Sequence, residues 1–246
     1  MIEAGVLDNP RVEQIYGLHL TTTAPAGYVT ARPGPAMASA DGFTVEVRGR
    51  GGHGAMPHLS VDPITAAANI LLGMQNLVSR EVPAQATAVL TIGQLVSGTK
   101  SNIIPDRALM TGTLRAFDQG VREQILSRLA DYVSHIGHAY RTEASLKVDL
   151  GSCPPVVNHQ AETDFMMRAA ALEVGDDAVG EGKPVMASDD MSLFLEARPG
   201  CYFRVGIGLA DGRPRPHHAP EFEMNEAGLP PALRVALGVM LRALAN

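Results

Sequence analysis

The stretch RGRGGHGAMPHLSVDP, residues 48–63, sets two histidines, His53 and His58, among glycines. Histidine is the side chain best suited to proton transfer and oxyanion contact near neutral pH. Glycines in such a loop signal a close approach, whether to a phosphate, a metal or a carbonyl group. A phosphate loop needs a helix to start directly after the glycines, usually through Gly-Lys-Ser/Thr. Here the next helical pattern starts only near residue 62, and no such tripeptide is present. The plain alternative is a surface turn with idle histidines. His19 ends an apolar run over 13–20, and ligands in open α/β sheets collect beyond the carboxyl ends of strands. It reads as a metal ligand or as a core histidine. His217 and His218 lie in the Pro-rich loop RPRPHHAPEFEMNE. Adjacent side chains do not readily aim at one ion, so at most one of them is a ligand. Asp189 and Asp190 stand at a helix start, where N-capping is the simplest role. His135 and His138 flank a helical stripe and read as surface residues. Cys153 and Cys201 carry no motif. No Ser-centred elbow, CxxC pair or HExxH is present, which removes the main support for serine-hydrolase and zincin readings.

The elements that must position these residues follow from hydropathy. FTVEVR, 43–48, alternates as a half-buried strand does. Asp62-Pro63 is an N-cap and first-turn pair for a helix with the stripe Ile64, Ala67, Leu71, Met74 and Val78. Strands are expected over 87–96 and 107–116, the second with Ala108, Met110, Gly112 and Leu114 on one face. Asp118 caps a helix with the stripe Val121, Ile125, Leu129, Tyr132, Ile136 and Ala139, and a strand over 143–150 closes the unit. The order β-α-β-β-α-β over 43–150 is that of a split βαβ sandwich, two helices on a four-stranded antiparallel sheet. Outside it, strands are expected over 13–20 and 201–208. Helices are expected over 162–174, 189–197 and 226–245, and MIEAGVL opens in helical register. These flanks read as α/β layers around the sandwich. The expected domains are 1–40 and 153–246 for an incomplete α/β domain and 41–152 for the inserted unit.

The 246 residues are 46% hydrophobic and 19% charged, enough to bury a core. A net charge of −6 argues against nucleic acid and anionic membranes as partners, and no apolar run is long enough for a membrane helix. Two cysteines and no secretory leader make a reducing cytoplasm the expected setting.

Taken in order, the segments YGLHL, ARPGPAMASADGFTVEVRGRGGHGAMPH, VDPITAAANIL, SNIIPD, GTLRAFD, SDDMSLF and HHAPEF resemble the amidohydrolase branch of the aminoacylase/carboxypeptidase G family of metallopeptidases. That branch includes hippurate hydrolase and auxin-conjugate hydrolases. The resemblance implies a catalytic α/β domain interrupted by a ferredoxin-like lid that also makes a homodimer. It implies two divalent metals (Mn, Zn, Ni or Co) that activate a water for hydrolysis of N-acyl amino acids. By the resemblance, His19 and His218 match metal ligands. His53 matches the lid histidine that reaches the partner subunit's active site, and Asn102 and Arg115 match substrate-contacting lid residues. The family's Cys-x-His ligands and its Glu-Glu pair, the general base included, fall upstream of residue 1. The chain therefore reads as the C-terminal two-thirds of a family member, inactive alone. Ser188-Asp189-Asp190 stands where the family often has Gly-Glu-Asp. The rival expectation is a non-catalytic fragment that acts only in dimerisation or small-molecule binding.

Overall fold

A computed structural model describes residues 1–149, 151–213 and 215–245. Leu150, the last residue of the strand expected over 143–150, lies outside the described residues. So do Pro214 of the histidine loop and Asn246. The chain divides into a flanking unit (Met1–Met37, Val156–Val185 and Asp189–Asn246) and an inserted unit (Ala38–Pro155 with Met186–Ser188). The flanking unit opens with β1 (Ile15–Pro25), β2 (Val29–Ala31) and β3 (Gly34–Met37). The inserted unit contributes β4 (Asp41–Arg48), β5 (Gly52–His53), α1 (Pro63–Asn76), β6 (Ala88–Ser97), β7 (Ile103–Ile104), β8 (Arg107–Ala116), α2 (Gln119–Ala139) and β9 (Glu143–Val148). The flanking unit resumes with β10 (Val156–Asn158), α3 (Gln160–Val174), β11 (Val179–Glu181), α4 (Met191–Ala197), β12 (Gly200–Gly208) and α5 (Leu229–Ala243).

The inserted unit is the expected ferredoxin-like sandwich, its sheet ordered β6-β8-β4-β9 with every pair antiparallel. Both caps form: Asp62 accepts from the Ile64 amide and Asp118 from the Val121 amide, each at 2.8 Å. Phe43, Val45 and Val47 of β4 and Met110 and Leu114 of β8 pack under Ile70, Met74, Ile125 and Leu129. The helices are rotated from the expected stripes. In α1 the buried face runs through Ala66, Ala67, Ile70 and Met74, and Ile64 is 40% exposed. In α2 Val133 and Gly137 are buried while Tyr132 and Ile136 are only half-buried. The close meeting of the two helices is the physical reason: a Cβ on Gly73 would overlap the Tyr132 hydroxyl. Asp41, 1% exposed, receives both arms of a guanidinium fork, Arg122 Nε and NH2 donating at 2.8 and 2.7 Å.

In the flanking unit the sheet is ordered β1-β12-β2-β11. β1 runs parallel to β12, from Ile15 beside Gly200 to Thr21 beside Gly206. β1 is longer than its apolar run: it continues past His19 to Pro25, because its backbone ladder with β12 carries on through Leu20, Thr21 and, after a register shift, Pro25. His19 therefore sits inside the strand rather than at its end. Cys201, Phe203 and Val205 of β12 face the core with Met166 and Ala170 of α3 and Val235 and Val239 of α5. Opening helix and strands differ from expectation too. Residues 2–4 make only one 3-10 turn, stopped by Gly5 at φ 77°.

Candidate functional site

His53 closes β5, where it pairs with Ile103 of β7. The glycines around it serve the chain's own backbone. A Cβ on Gly49 would come within 2.2 Å of the Val61 carbonyl oxygen, and one on Gly54 within 3.0 Å of that of Asn102. The Gly54 amide donates to the Asn102 carbonyl at 2.8 Å, so His53 and Asn102 lie on adjoining exposed turns. His53 Nδ1 accepts from the Ala55 amide at 3.0 Å. That bond leaves the neutral imidazole's proton on Nε2, as an outward donor.

Arg115 is in the same unit but at the other end of β8. Eight strand steps from Arg107 put it about 27 Å along the strand from the segment that carries Asn102. Arg115 donates to Ser188 Oγ at 2.9 Å and to the Ser39 carbonyl at 3.4 Å. The structure thus brings His53 and Asn102 together and keeps Arg115 apart.

His19, in the flanking unit, has the opposite tautomer. Its Nδ1 lies 2.5 Å from the Leu20 carbonyl, which can only accept, so Nδ1 carries the proton and Nε2 has a free lone pair. A fixed Nδ1–H and an open Nε2 are what a metal-binding histidine needs. The His217 ring approaches edge-on, centroids 5.4 Å apart, and the Phe222 ring lies 5.3 Å from His217. Burial, followed by the charges of His19 and His218, lowers the His217 pKa and favours a neutral, ligating imidazole. His218 is exposed at φ 61°, its ring 6.5 Å from that of His217. The imidazole that meets His19 is therefore His217 in this structure. Two imidazoles suit first-row divalent ions. Among the described residues no group of three or more His, Cys, Asp or Glu forms a metal site, so the donor set is partial.

Beneath this pair lies a contact that the sequence did not reveal. The Tyr202 ring is 6.3 Å from that of His19, and its hydroxyl donates to Asp189 Oδ2 at 2.7 Å. Asp189 Oδ1 meanwhile accepts from the Met191 amide at 2.9 Å, one residue ahead of the N-cap position of α4, which Asp190 holds without a side-chain cap bond. Burial first, then the Asp189 bond, raises the Tyr202 pKa, so the phenol keeps its proton. Gly17 makes room, since a Cβ there would come within 2.7 Å of the Tyr202 ring. The available signal was a polar pair, Tyr202 and Arg204, at alternate positions of the otherwise apolar CYFRVGIG. Elsewhere, His135 and His138 are exposed, and Cys153 and Cys201 form no disulfide. Burial pushes the Cys201 thiol up to about 12.

A family described as a peptidase dimerisation domain matches residues 37–141. YhaA of Bacillus subtilis (strain 168), named as an amidohydrolase, is 35% identical over 242 residues, 98% of this chain and 60% of that protein. N-acetyl-L-cysteine deacetylase of the same organism is 35% identical over 232 residues, 93% of this chain and 53% of its own length. Among solved structures, the YXEP protein of Bacillus subtilis, described as a dinuclear metal binding peptidase from the M20 family, superposes with TM-score 0.81 at 27% identity. That match covers 100% of this chain and 60% of the other. The chain spans less than two-thirds of the length of these relatives.

Proposed function

Because this chain belongs to the M20 family of peptidases and amidohydrolases, we propose that it serves the metal-dependent hydrolysis of amide bonds in N-acyl amino acids or similar conjugates, working as a homodimer. The observation that carries the reading is the split of the inserted unit's polar residues. His53 and Asn102 lie at one end and Arg115 lies about 27 Å along β8 from the other two. One small substrate cannot touch both ends of one copy. Two copies resolve this: Arg115 of one holds the substrate carboxylate through its planar fork, while His53 and Asn102 of the other reach the scissile carbonyl. His53 is suited to that place, since its Nε2–H is free to donate to an oxygen that gains negative charge.

His19 is proposed as a metal ligand together with one of the adjacent histidines. The resemblance assigns His218, and the ring contact favours His217. A divalent ion held there supplies Lewis acidity toward the scissile carbonyl and the attacking water. His19 Nδ1–H, tied to the Leu20 carbonyl, keeps Nε2 aimed outward, and the Tyr202–Asp189 pair supports the ring from below. No third ligand group and no candidate general base joins the two imidazoles among the described residues, so the chain by itself is expected to be inactive. That incomplete donor set beside a complete dimerisation domain also favours a second reading, a non-catalytic dimerisation or small-molecule-binding module.

A hydrolysis screen with metal analysis separates the two. The 246-residue chain should turn over N-acyl amino acids negligibly, with or without added Mn, Zn, Ni or Co, while an N-terminally extended form should be active. Turnover by the chain alone within tenfold of the extended form contradicts the proposed incompleteness. Inactivity of both favours the second reading.

Pairing of two copies is supported at the β6 edge. Its ten residues carry no charge and expose Val89, Leu95 and Val96, the last 53%. The opposite edge, β9, carries Glu143 and Lys147. Long uncharged edges invite strand pairing, whereas charges discourage it. Val96→Lys is expected to shift the chain from dimer to monomer in light scattering at micromolar concentration, and the same change at Ser145 on β9 is expected to leave the dimer intact.

A further inference from the structure

The sheet of the flanking unit has two unlike faces. One carries Cys201, Phe203 and Val205 into the core. The alternate residues of β12, Tyr202 and Arg204, turn to the other. Arg204 has His19 of β1 as its ladder partner on one side and Thr30 of β2 on the other, so the three stand in a row across that face. Arg32 lies two residues beyond Thr30, and its carbonyl shares the Asn158 side-chain amide with the Tyr202 carbonyl, both at 2.9 Å. Arg32 is thus held opposite Tyr202.

Both arginines are half-buried, and neither has an ion pair among the described residues. The Arg204 guanidinium donates to the Lys183 carbonyl at 2.8 Å, a neutral acceptor that adds no negative charge. Arg32 Nε is buried without any partner. The acid beside Tyr202, Asp189, has one oxygen on the tyrosine hydroxyl and the other on the Met191 amide. Burial lowers the proton affinity of Arg204, the mark of a cation short of compensation. A half-buried guanidinium without a counter-charge is costly, and a bound anion relieves that cost through paired, charge-assisted hydrogen bonds.

We propose that Arg204 and Arg32 form an anion subsite on the His19 face, which selects substrates that carry a second carboxylate beyond the one assigned to Arg115. The subsite rests on the hydrolase reading above and narrows its substrate class to dicarboxylate conjugates. The second carboxylate can come from an acidic amino acid side chain or from a dicarboxylic acyl group. In both cases the recognising chemistry is the same, a carboxylate in a guanidinium fork.

The test is binding, measured by calorimetry on the 246-residue chain, independent of turnover. One arm compares N-acetylglutamate with its neutral near-isostere N-acetylglutamine. The other compares N-succinylalanine with N-butanoylalanine. In at least one arm the anionic member should bind about tenfold more tightly at low salt, the size of one or two charge-assisted bonds. R204Q should abolish that preference, R204K should keep part of it, R32Q should weaken it, and added salt should diminish it, all in variants with unchanged circular dichroism. Should R204Q fail to fold, R204K and R32Q with the salt series carry the same comparison. Equal binding of anionic and neutral members in both arms, or a preference that survives R32Q and R204Q together, overturns the subsite alone. Absence of binding by all four compounds also overturns the subsite, whereas the hydrolase reading falls only if the extended form fails to turn over N-acyl amino acids.

Discussion

Asp41→Ala is expected to destabilise the inserted unit by about 3–5 kcal/mol, the typical cost of breaking a buried ion pair by removing one partner. The side chain of Asp41 is 0% exposed and that of Arg122 is 14% exposed, and the fork between them joins the start of β4 to the first turn of α2. Removal of the carboxylate takes from this largely buried guanidinium the acid that holds its Nε and NH2, while Gln119 Oε1 still accepts from NH1 at 3.2 Å. Amide hydrogen exchange checks this: slow amides of β4 and β8 should lose protection, while those of Phe203 and Val205 in β12 keep theirs. Unchanged protection on β4 contradicts it. Replacing both partners by apolar residues of similar size, Asp41→Leu with Arg122→Met, should recover most of the loss, because no charge is then left buried.

His53→Ala is expected to lower kcat about 10²–10³-fold in any assembly of this chain that turns over substrate, the scale seen when one oxyanion donor is removed. KM should change little, since the contact strengthens only as charge develops on the oxygen. The donor role follows from the Ala55 amide, which occupies Nδ1 and leaves the proton on Nε2. Because the proposed role is in trans, mixing His53→Ala with His19→Ala should restore activity through hybrid dimers that contain one intact site. No recovery, with subunit exchange verified, would rule out the in-trans role.

The inserted unit was legible in the sequence because its elements are local. Alternation over 43–48 and 107–116, and two Asp caps just ahead of helical stripes, are short-range signals. The buried faces differ from the expected stripes by about one position, because tertiary contact at Gly73 and Tyr132, not periodicity, sets how the helices roll. In the flanking unit, Val29–Ala31 and Val179–Glu181 are three-residue strands, too short for a period of two to register. They exist through distant partners: β2 pairs with both β11 and β12. The site divides in the same way. His53 and Asn102 could be picked out from residue type and resemblance, whereas Tyr202 on Asp189 and the approach of His217 to His19 depend on contacts across 13 residues or more. The glycine run, which suggested a ligand, is explained by the backbone of Val61 and Asn102.

Two histidines take opposite chemistry, a donor at His53 and a ligand at His19. Long-range proton–nitrogen correlation of the imidazoles, recorded on the isolated chain at alkaline pH and during a zinc titration, reads both directly. Before zinc, His19 should carry its proton on Nδ1 and His53 on Nε2. Added zinc should shift His19 Nε2 together with one imidazole of His217 or His218, weakly and only at high metal, because two ligands do not close a site. His53 should not move. A proton on His53 Nδ1, or zinc that reaches His53 while leaving His19 unshifted, would contradict the assignment.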